Sequence, residues 1–154
     1  MRAEGRPRRP LRLFVAIAAA TLVADQASKA VVLRHLKEGA SFPAWGRTLY
    51  LTVTHNRGSA FGLLENRDAL LLAIGGAVCL GALLLVLFRP DLRGCYLLPL
   101  ALIWGGSAGN LLDRLQRGAV VDFVDLRVWP VFNLADAAIT VGFLILAYQL
   151  GRRR

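Results

Sequence analysis

The strongest constraint on this chain is a run of 20 residues, Ala69–Phe88, that carries no charged side chain. A second uncharged run, residues 94–112, is 19 residues long. Two further apolar segments frame them. Residues 13–33 are apolar except around Asp25 and Lys29, and a last stretch opens near Phe132, contains Asp136 and stays uncharged over residues 137–151. A helix rises about 1.5 Å per residue, so each segment can cross a hydrocarbon core about 30 Å thick. Backbone polar groups in lipid must find partners inside their own segment, so these are helices. The expectation is an all-α membrane protein in a single domain, residues 1–154, with transmembrane helices at about 13–33, 69–88, 94–114 and 133–151.

Composition agrees. The chain is 56% hydrophobic with a mean hydropathy of +0.51, too little polar surface to cover a soluble domain of this size. A net charge of +9 would ordinarily raise nucleic acid as a partner. Here the arginines crowd the two ends (Arg2, Arg6, Arg8, Arg9 and Arg12, then Arg152, Arg153 and Arg154) and flank apolar runs. No basic helix face or aromatic–basic interleaving accompanies them, so no nucleic-acid partner is expected. The first segment also fits a cleavable signal peptide ending at Ala24, but apolar residues resume from Ala30 to Leu33, which favours a retained helix.

The positive-inside rule puts the N-terminal arm, the 89–93 turn and the arginine tail on the cytoplasmic side, with both termini. Residues 34–67 and the 116–130 loop then lie outside. Residues 48–54 alternate β-branched, aromatic and aliphatic side chains, which suggests a short strand or two. Residues 56–59 read as a turn and residues 60–64 as a short amphipathic helix on the membrane surface. Trp45, Tyr50 and Trp129 fall where interfacial aromatics are expected.

Ionisable groups inside spans are costly and usually functional. Those of this chain share the outer end. Asp25 and Lys29 are four residues apart on one face of the first helix, as are Asn110 and Arg114 on the third. Asp122 follows in the outer loop, and Asn133 and Asp136 open the fourth helix. Plainer roles remain open: an intrahelical Asp25–Lys29 ion pair, an interfacial Asp113–Arg114 pair, solvated charges at Asp68 and Asp125, and a surface or hydrogen-bonding role for His55. The run Gly105-Gly106-Ser107-Ala108-Gly109 suits close helix packing better than phosphate binding, since no strand precedes it. Cys79 and Cys95 read as small buried hydrophobes, and with only His35 and His55 beside them no metal or cofactor site is legible.

Two carboxylates close together in a poorly hydrated place cannot both ionise easily, so one keeps a proton near neutral pH. Asp122 and Asp136 could then divide general-base and general-acid work. No serine–histidine or cysteine–histidine pair competes, and Ser28 and Lys29, adjacent on a helix, point about 100° apart. Residue types alone also admit a proton-coupled transporter or a non-enzymatic scaffold glued by polar side chains.

Five motifs occur in order: Asp25-Gln26-Ala27-Ser28-Lys29, Asn56-Arg57-Gly58-Ser59-Ala60-Phe61-Gly62, the segment from Gly105 to Arg114, Val121-Asp122-Phe123 and Phe132-Asn133-Leu134-Ala135-Asp136. Together, and over nearly the whole chain, they resemble lipoprotein signal peptidase (signal peptidase II). The resemblance implies four transmembrane helices in the bacterial inner membrane and an extracytoplasmic β-cradle at about residues 38–66 with a flexible interfacial helix. It implies an aspartic endopeptidase that cuts diacylglyceryl-modified prolipoproteins before the lipidated cysteine and is blocked by the cyclic peptide globomycin. Asp122 and Asp136 match the family's catalytic dyad. Asn56, Gly58, Asn110, Arg114 and Asn133 match residues around it, with Asp25 and Lys29 in a supporting polar network. A monomer in the lipid bilayer, without a metal, is expected.

Overall fold

A computed structural model describes residues 8–58, 68–89 and 94–152. The expected interfacial helix at 60–64, residues 90–93 of the expected turn, Arg2, Arg6, Arg153 and Arg154 lie outside the described residues. The described residues form four helices: α1 (Arg8–His35), α2 (Asp68–Phe88), α3 (Leu97–Arg117) and α4 (Leu134–Gly151). Three strands, β1 (Ser41–Trp45), β2 (Leu49–Asn56) and β3 (Val120–Asp125), form one antiparallel sheet in the order β1-β2-β3. Among the described residues, three helical stretches are long and apolar enough to cross a membrane: Pro10–His35, Ala69–Phe88 and Leu134–Gly151.

Helix α3 is the axis of the bundle and packs against α1, α2 and α4. It starts at Leu97, tolerates Pro99 in its first turn where that N–H has no helical partner, and runs to Arg117. Gly118, at φ +71°, ends it in the left-handed conformation, its N–H donating to the Arg114 carbonyl at 3.0 Å. The glycine-rich run lets the neighbouring helices approach. A Cβ on Gly105 would sit 2.6 Å from the Ala18 carbonyl of α1, and one on Gly106 2.5 Å from the Ala135 carbonyl of α4. The glycines therefore serve close packing, as their pattern suggested.

Phe14, Ala18, Ala82, Val86, Tyr96, Leu97, Leu100 and Ala101 form the core at one end of the bundle. At the other end Val32, Val53 and Phe123 bury the sheet against the last turns of α1. Gly39, at φ +74°, turns the chain from α1 into β1, and its N–H donates to Val53 at 2.9 Å.

Three expectations need correction, and one open alternative, the Asp113–Arg114 pair, is decided. The 116–130 segment is not simply a loop, because residues 120–125 form β3 against β2. Val120, Val121, Asp122 and Phe123 are all buried, so the in–out alternation that marks a half-exposed strand is missing. Asp125 is not a solvated charge: it is buried and accepts from Thr52 Oγ1 at 2.7 Å and the Arg127 N–H at 2.8 Å. These partners, Thr52 first, hold its carboxyl below the usual range. Asp113 is fully buried and pairs with Lys29 and Arg117, in place of an interfacial pairing with Arg114. Cys95 is exposed beside the start of α3, whereas Cys79 is half-buried with its thiol 3.8 Å from the Trp104 carbonyl.

Candidate active site

The polar side chains meet where α1, α3 and α4 face β2 and β3. Asp25 and Lys29, one helical turn apart and completely buried, lie 2.8 Å from each other. Lys29 Nζ also reaches Asp113 Oδ2 at 2.7 Å and Asn110 Oδ1 at 3.2 Å, giving its three protons three acceptors. Asp25 spends its other oxygen on the Ala135 N–H at the start of α4, at 3.0 Å. A buried cation without partners would be prohibitive, so this network ties α1, α3 and α4 into one arrangement. The Asp25–Lys29 pair is thus intrahelical and also part of the site's frame.

Asn133 caps α4. Its Oδ1 accepts the Asp136 N–H at 2.8 Å, and Asp136 Oδ2 accepts the Asn133 N–H at 3.2 Å, a reciprocal capping box. With its oxygen so committed, Asn133 turns its amide nitrogen to Asp122 Oδ1 at 2.7 Å and Asn110 Oδ1 at 3.0 Å. Asn110 is oriented by the same logic. Lys29 only donates, so Asn110 presents its oxygen to the lysine and its Nδ2 to Asp136 Oδ1 at 2.7 Å. Asn56, at the end of β2, donates from Nδ2 to Asp122 Oδ2 at 2.9 Å, while its Oδ1 accepts the Gly58 N–H at 2.9 Å in a tight turn. Every carboxylate oxygen of Asp122 and Asp136 therefore meets an N–H, two of them from Asn133 and one each from Asn56 and Asn110.

Both aspartates line a cavity of about 340 Å³, together with Asn56, Asn110, Arg114 and Trp129. Arg114 Nη2 lies 3.4 Å from the Gly58 carbonyl. Asp122 is only 2% exposed, and desolvation pushes its carboxyl up to about 7. The Asp136 charge pushes the same way, while hydrogen bonds from Asn56 and Asn133 and the Lys29 charge oppose it. A carboxyl that keeps its proton near neutrality beside a second carboxyl on the same cavity is suited to acid–base chemistry.

All nine residues singled out from sequence, Asp25, Lys29, Asn56, Gly58, Asn110, Arg114, Asp122, Asn133 and Asp136, fall in this region, either lining the cavity or in the network behind it. His55 stands apart, with Nδ1 3.1 Å from Glu38 Oε1. Gln26 and Arg117 were not anticipated. Gln26 Nε2 reaches Asp113 Oδ1 at 3.1 Å, and Arg117 Nη1 reaches it at 2.6 Å. The four-residue spacing of Asp113 and Arg117 was the available sign.

In overall structure the chain is similar to two solved bacterial membrane enzymes. One, determined in meso at 2.3 Å, superposes with a TM-score of 0.85 at 26% identity, covering 91% of this chain and 88% of the other. The second, at 1.9 Å, gives 0.81 at 26% identity, covering 90% and 92%. The fold is that of a multi-pass bacterial membrane enzyme. Residues 17–152 match the family model of signal peptidase (SPase) II. The lipoprotein signal peptidase of Moorella thermoacetica is 45% identical over 139 residues, covering 89% of this chain and 91% of that protein. The one from Pelotomaculum thermopropionicum is 43% identical over 138 residues, 90% of each. The chain belongs to the signal peptidase II family.

Proposed function

We propose that this chain is a membrane-embedded aspartic endopeptidase that removes the signal peptide from diacylglyceryl-modified prolipoproteins, cutting before the lipidated cysteine. The observation that carries this reading is that Asp122 and Asp136 face one cavity and are bridged by a single residue, Asn133, whose Nδ2 bonds one carboxylate and whose backbone N–H bonds the other. The two carboxyls share one proton, and the protonated member donates it to the scissile carbonyl oxygen. The ionised member takes a proton from the attacking water. Collapse of the resulting diol returns its hydroxyl proton to the first carboxylate, while the second protonates the departing amine and the C–N bond breaks. The pair ends as it began, and no step draws on a metal.

Asn56, Asn110 and Asn133 hold the two carboxylates, and Arg114, on the cavity wall, is placed to bind a substrate carbonyl. A neighbouring apolar cavity of about 410 Å³, lined by Leu126, Trp129, Ala137 and Val141, supports a lipid-bearing substrate. All four helices, α3 included, cross the inner membrane within one domain, both termini are cytoplasmic, and the site lies near the extracytoplasmic face. The cradle at about 38–66 is completed by β3. The enzyme acts as a monomer in the bilayer, and globomycin occupies the dyad cavity. The clustering of Asp25, Asp113, Asp122 and Asp136 at one end favours this over a proton path, which would spread acids through the bilayer.

Purified protein incubated with a diacylglyceryl-modified precursor, and separately with its unmodified form, tests the substrate class. Rapid cleavage of the modified form alone is expected. Equal cleavage of both would remove the lipid requirement, and inhibition by a chelator would contradict a metal-free dyad.

A further inference from the structure

Asp122 sits on an edge strand. β3 pairs with β2 on one side, and that pairing shifts register between Leu51 and Thr54, right beside the Thr54–Asp122 pair. On its other edge β3 bonds Phe132, whose carbonyl accepts the Phe123 and Val124 N–H groups. These contacts follow Asp122 and leave the backbone just before it weakly specified by strand pairing. The connection from α3, only Gly118 and Ala119, keeps the start of β3 close to the end of α3 without setting its register.

The peptide group leading into Asp122 is held elsewhere. The Val121 N–H donates to Asp113 Oδ2 at 3.3 Å, and the Val121 carbonyl accepts from Asn133 Nδ2 at 3.3 Å. One residue before Asp122, then, the backbone is gripped by α3 on one side and the cap of α4 on the other. Asp113 is itself immobilised. Its Oδ1 meets Gln26 at 3.1 Å and Arg117 at 2.6 Å, and its Oδ2 meets Lys29 at 2.7 Å besides Val121. Each oxygen thus has two donors, and the side chain is fully buried. The carboxylate also satisfies an edge-strand N–H that would otherwise be buried without a partner.

We infer that Asp113 is a positioning residue for the dyad: its carboxylate, held by Lys29, Gln26 and Arg117, clamps β3 at Val121 and so sets Asp122 against the substrate bond. The inference rests on the dyad reading of the preceding section. Asp113 does not line the cavity and acts only through the backbone it holds. The charged groups facing Asp122 are Asp136 from α4, Lys29 from α1 and Arg114 from α3, while β2 contributes the neutral Asn56. Behind them Asp25 and Asp113 balance Lys29 and Arg117. Loss of one member leaves a net charge near the dyad whose sign depends on which member was lost.

Two full-length variants test this by pH–rate profiles on the diacylglyceryl-modified precursor. Asp113→Asn should lower kcat about a hundredfold with KM little changed, the cost expected for misplacement of a reacting group by about 1 Å. It also leaves a net positive charge, so the alkaline limb of the profile should move down by about half a unit or more. Arg117→Gln, at a partly exposed position, should fold normally, lower kcat less, and move the same limb up. A merely structural role would reduce the amount of folded enzyme while leaving kcat per folded molecule unchanged. That result would overturn the inference, whichever way the limbs move. If Asp113→Asn does not fold, a lowered kcat per folded molecule with KM little changed in Arg117→Gln supports the inference, and an unchanged kcat overturns it. Failure of the wild-type protein to cleave would instead remove the dyad reading itself.

Discussion

Replacing Gly106 with alanine would place a Cβ 2.5 Å from the Ala135 carbonyl oxygen and 2.8 Å from Ile139 Cγ1. Ordinary van der Waals contact begins at 3.4 Å, so α3 and α4 must part by about 1 Å. Neither obstacle is a yielding side-chain tip, since one is backbone and the other a branched residue beside it. Overpacking of this kind costs about 1–3 kcal/mol of stability. The consequence for the site is larger. Asn110 lies one turn beyond Gly106 on α3 and Asp136 follows Ala135 on α4, joined by a bond of 2.7 Å that cannot span the wider gap. A displacement of about 1 Å between reacting groups costs roughly a hundredfold in rate. The assay is the initial cleavage rate of a diacylglyceryl-modified precursor in detergent micelles, with thermal unfolding measured on the same preparation. Gly76→Ala on α2 is the control, because nothing lies within 4 Å of its added Cβ. Wild-type activity in Gly106→Ala, or equal damage from Gly76→Ala, would refute the packing logic.

Other perturbations address the charges. Asp122 in the folded protein, at about 7, binds its proton more tightly than an unfolded aspartate near 3.8. Its contribution to stability is therefore full below about 4 and lost as pH rises toward 7, on the order of a few kcal/mol in all. Asp122→Asn should accordingly gain thermal stability relative to wild type as pH is raised from 4 to 8; a constant difference between the two unfolding midpoints would contradict the raised pKa. Lys29→Met should be among the most damaging substitutions, costing about 3–5 kcal/mol, because Asp25 and Asp113 would remain buried without their shared cation. Unfolding midpoints in detergent check this, and a loss of under about 1 kcal/mol would show that the network is solvated.

Helices α2 and α4 were legible because apolarity over about 15 to 20 residues is a local property that lipid imposes directly. The strand at 48–54 was legible for the same kind of reason, its period-two pattern lying within a few residues. β3 was not, because the site buries both of its faces and two acids interrupt its valines. Asp125 was misjudged since its partner Thr52 lies on another strand, distant in the chain. The reciprocal cap from Asn133 to Asp136 was in principle readable as a polar residue followed three positions later by an acid. By contrast, the contacts of Asp113 with Lys29 and with the Val121 N–H arise only when α1, α3 and β3 meet. Such long-range polar contacts have no periodic signature. They are found by following each buried donor to its acceptor.

The most direct test of the dyad is cleavage of a diacylglyceryl-modified prolipoprotein by the purified protein beside its Asp122→Asn and Asp136→Asn variants, each confirmed as folded. Each substitution keeps nearly the same shape while removing one carboxylate, so both variants are expected to lose cleavage by several orders of magnitude while the wild type turns over. Near-wild-type cleavage by either variant would contradict a two-aspartate mechanism.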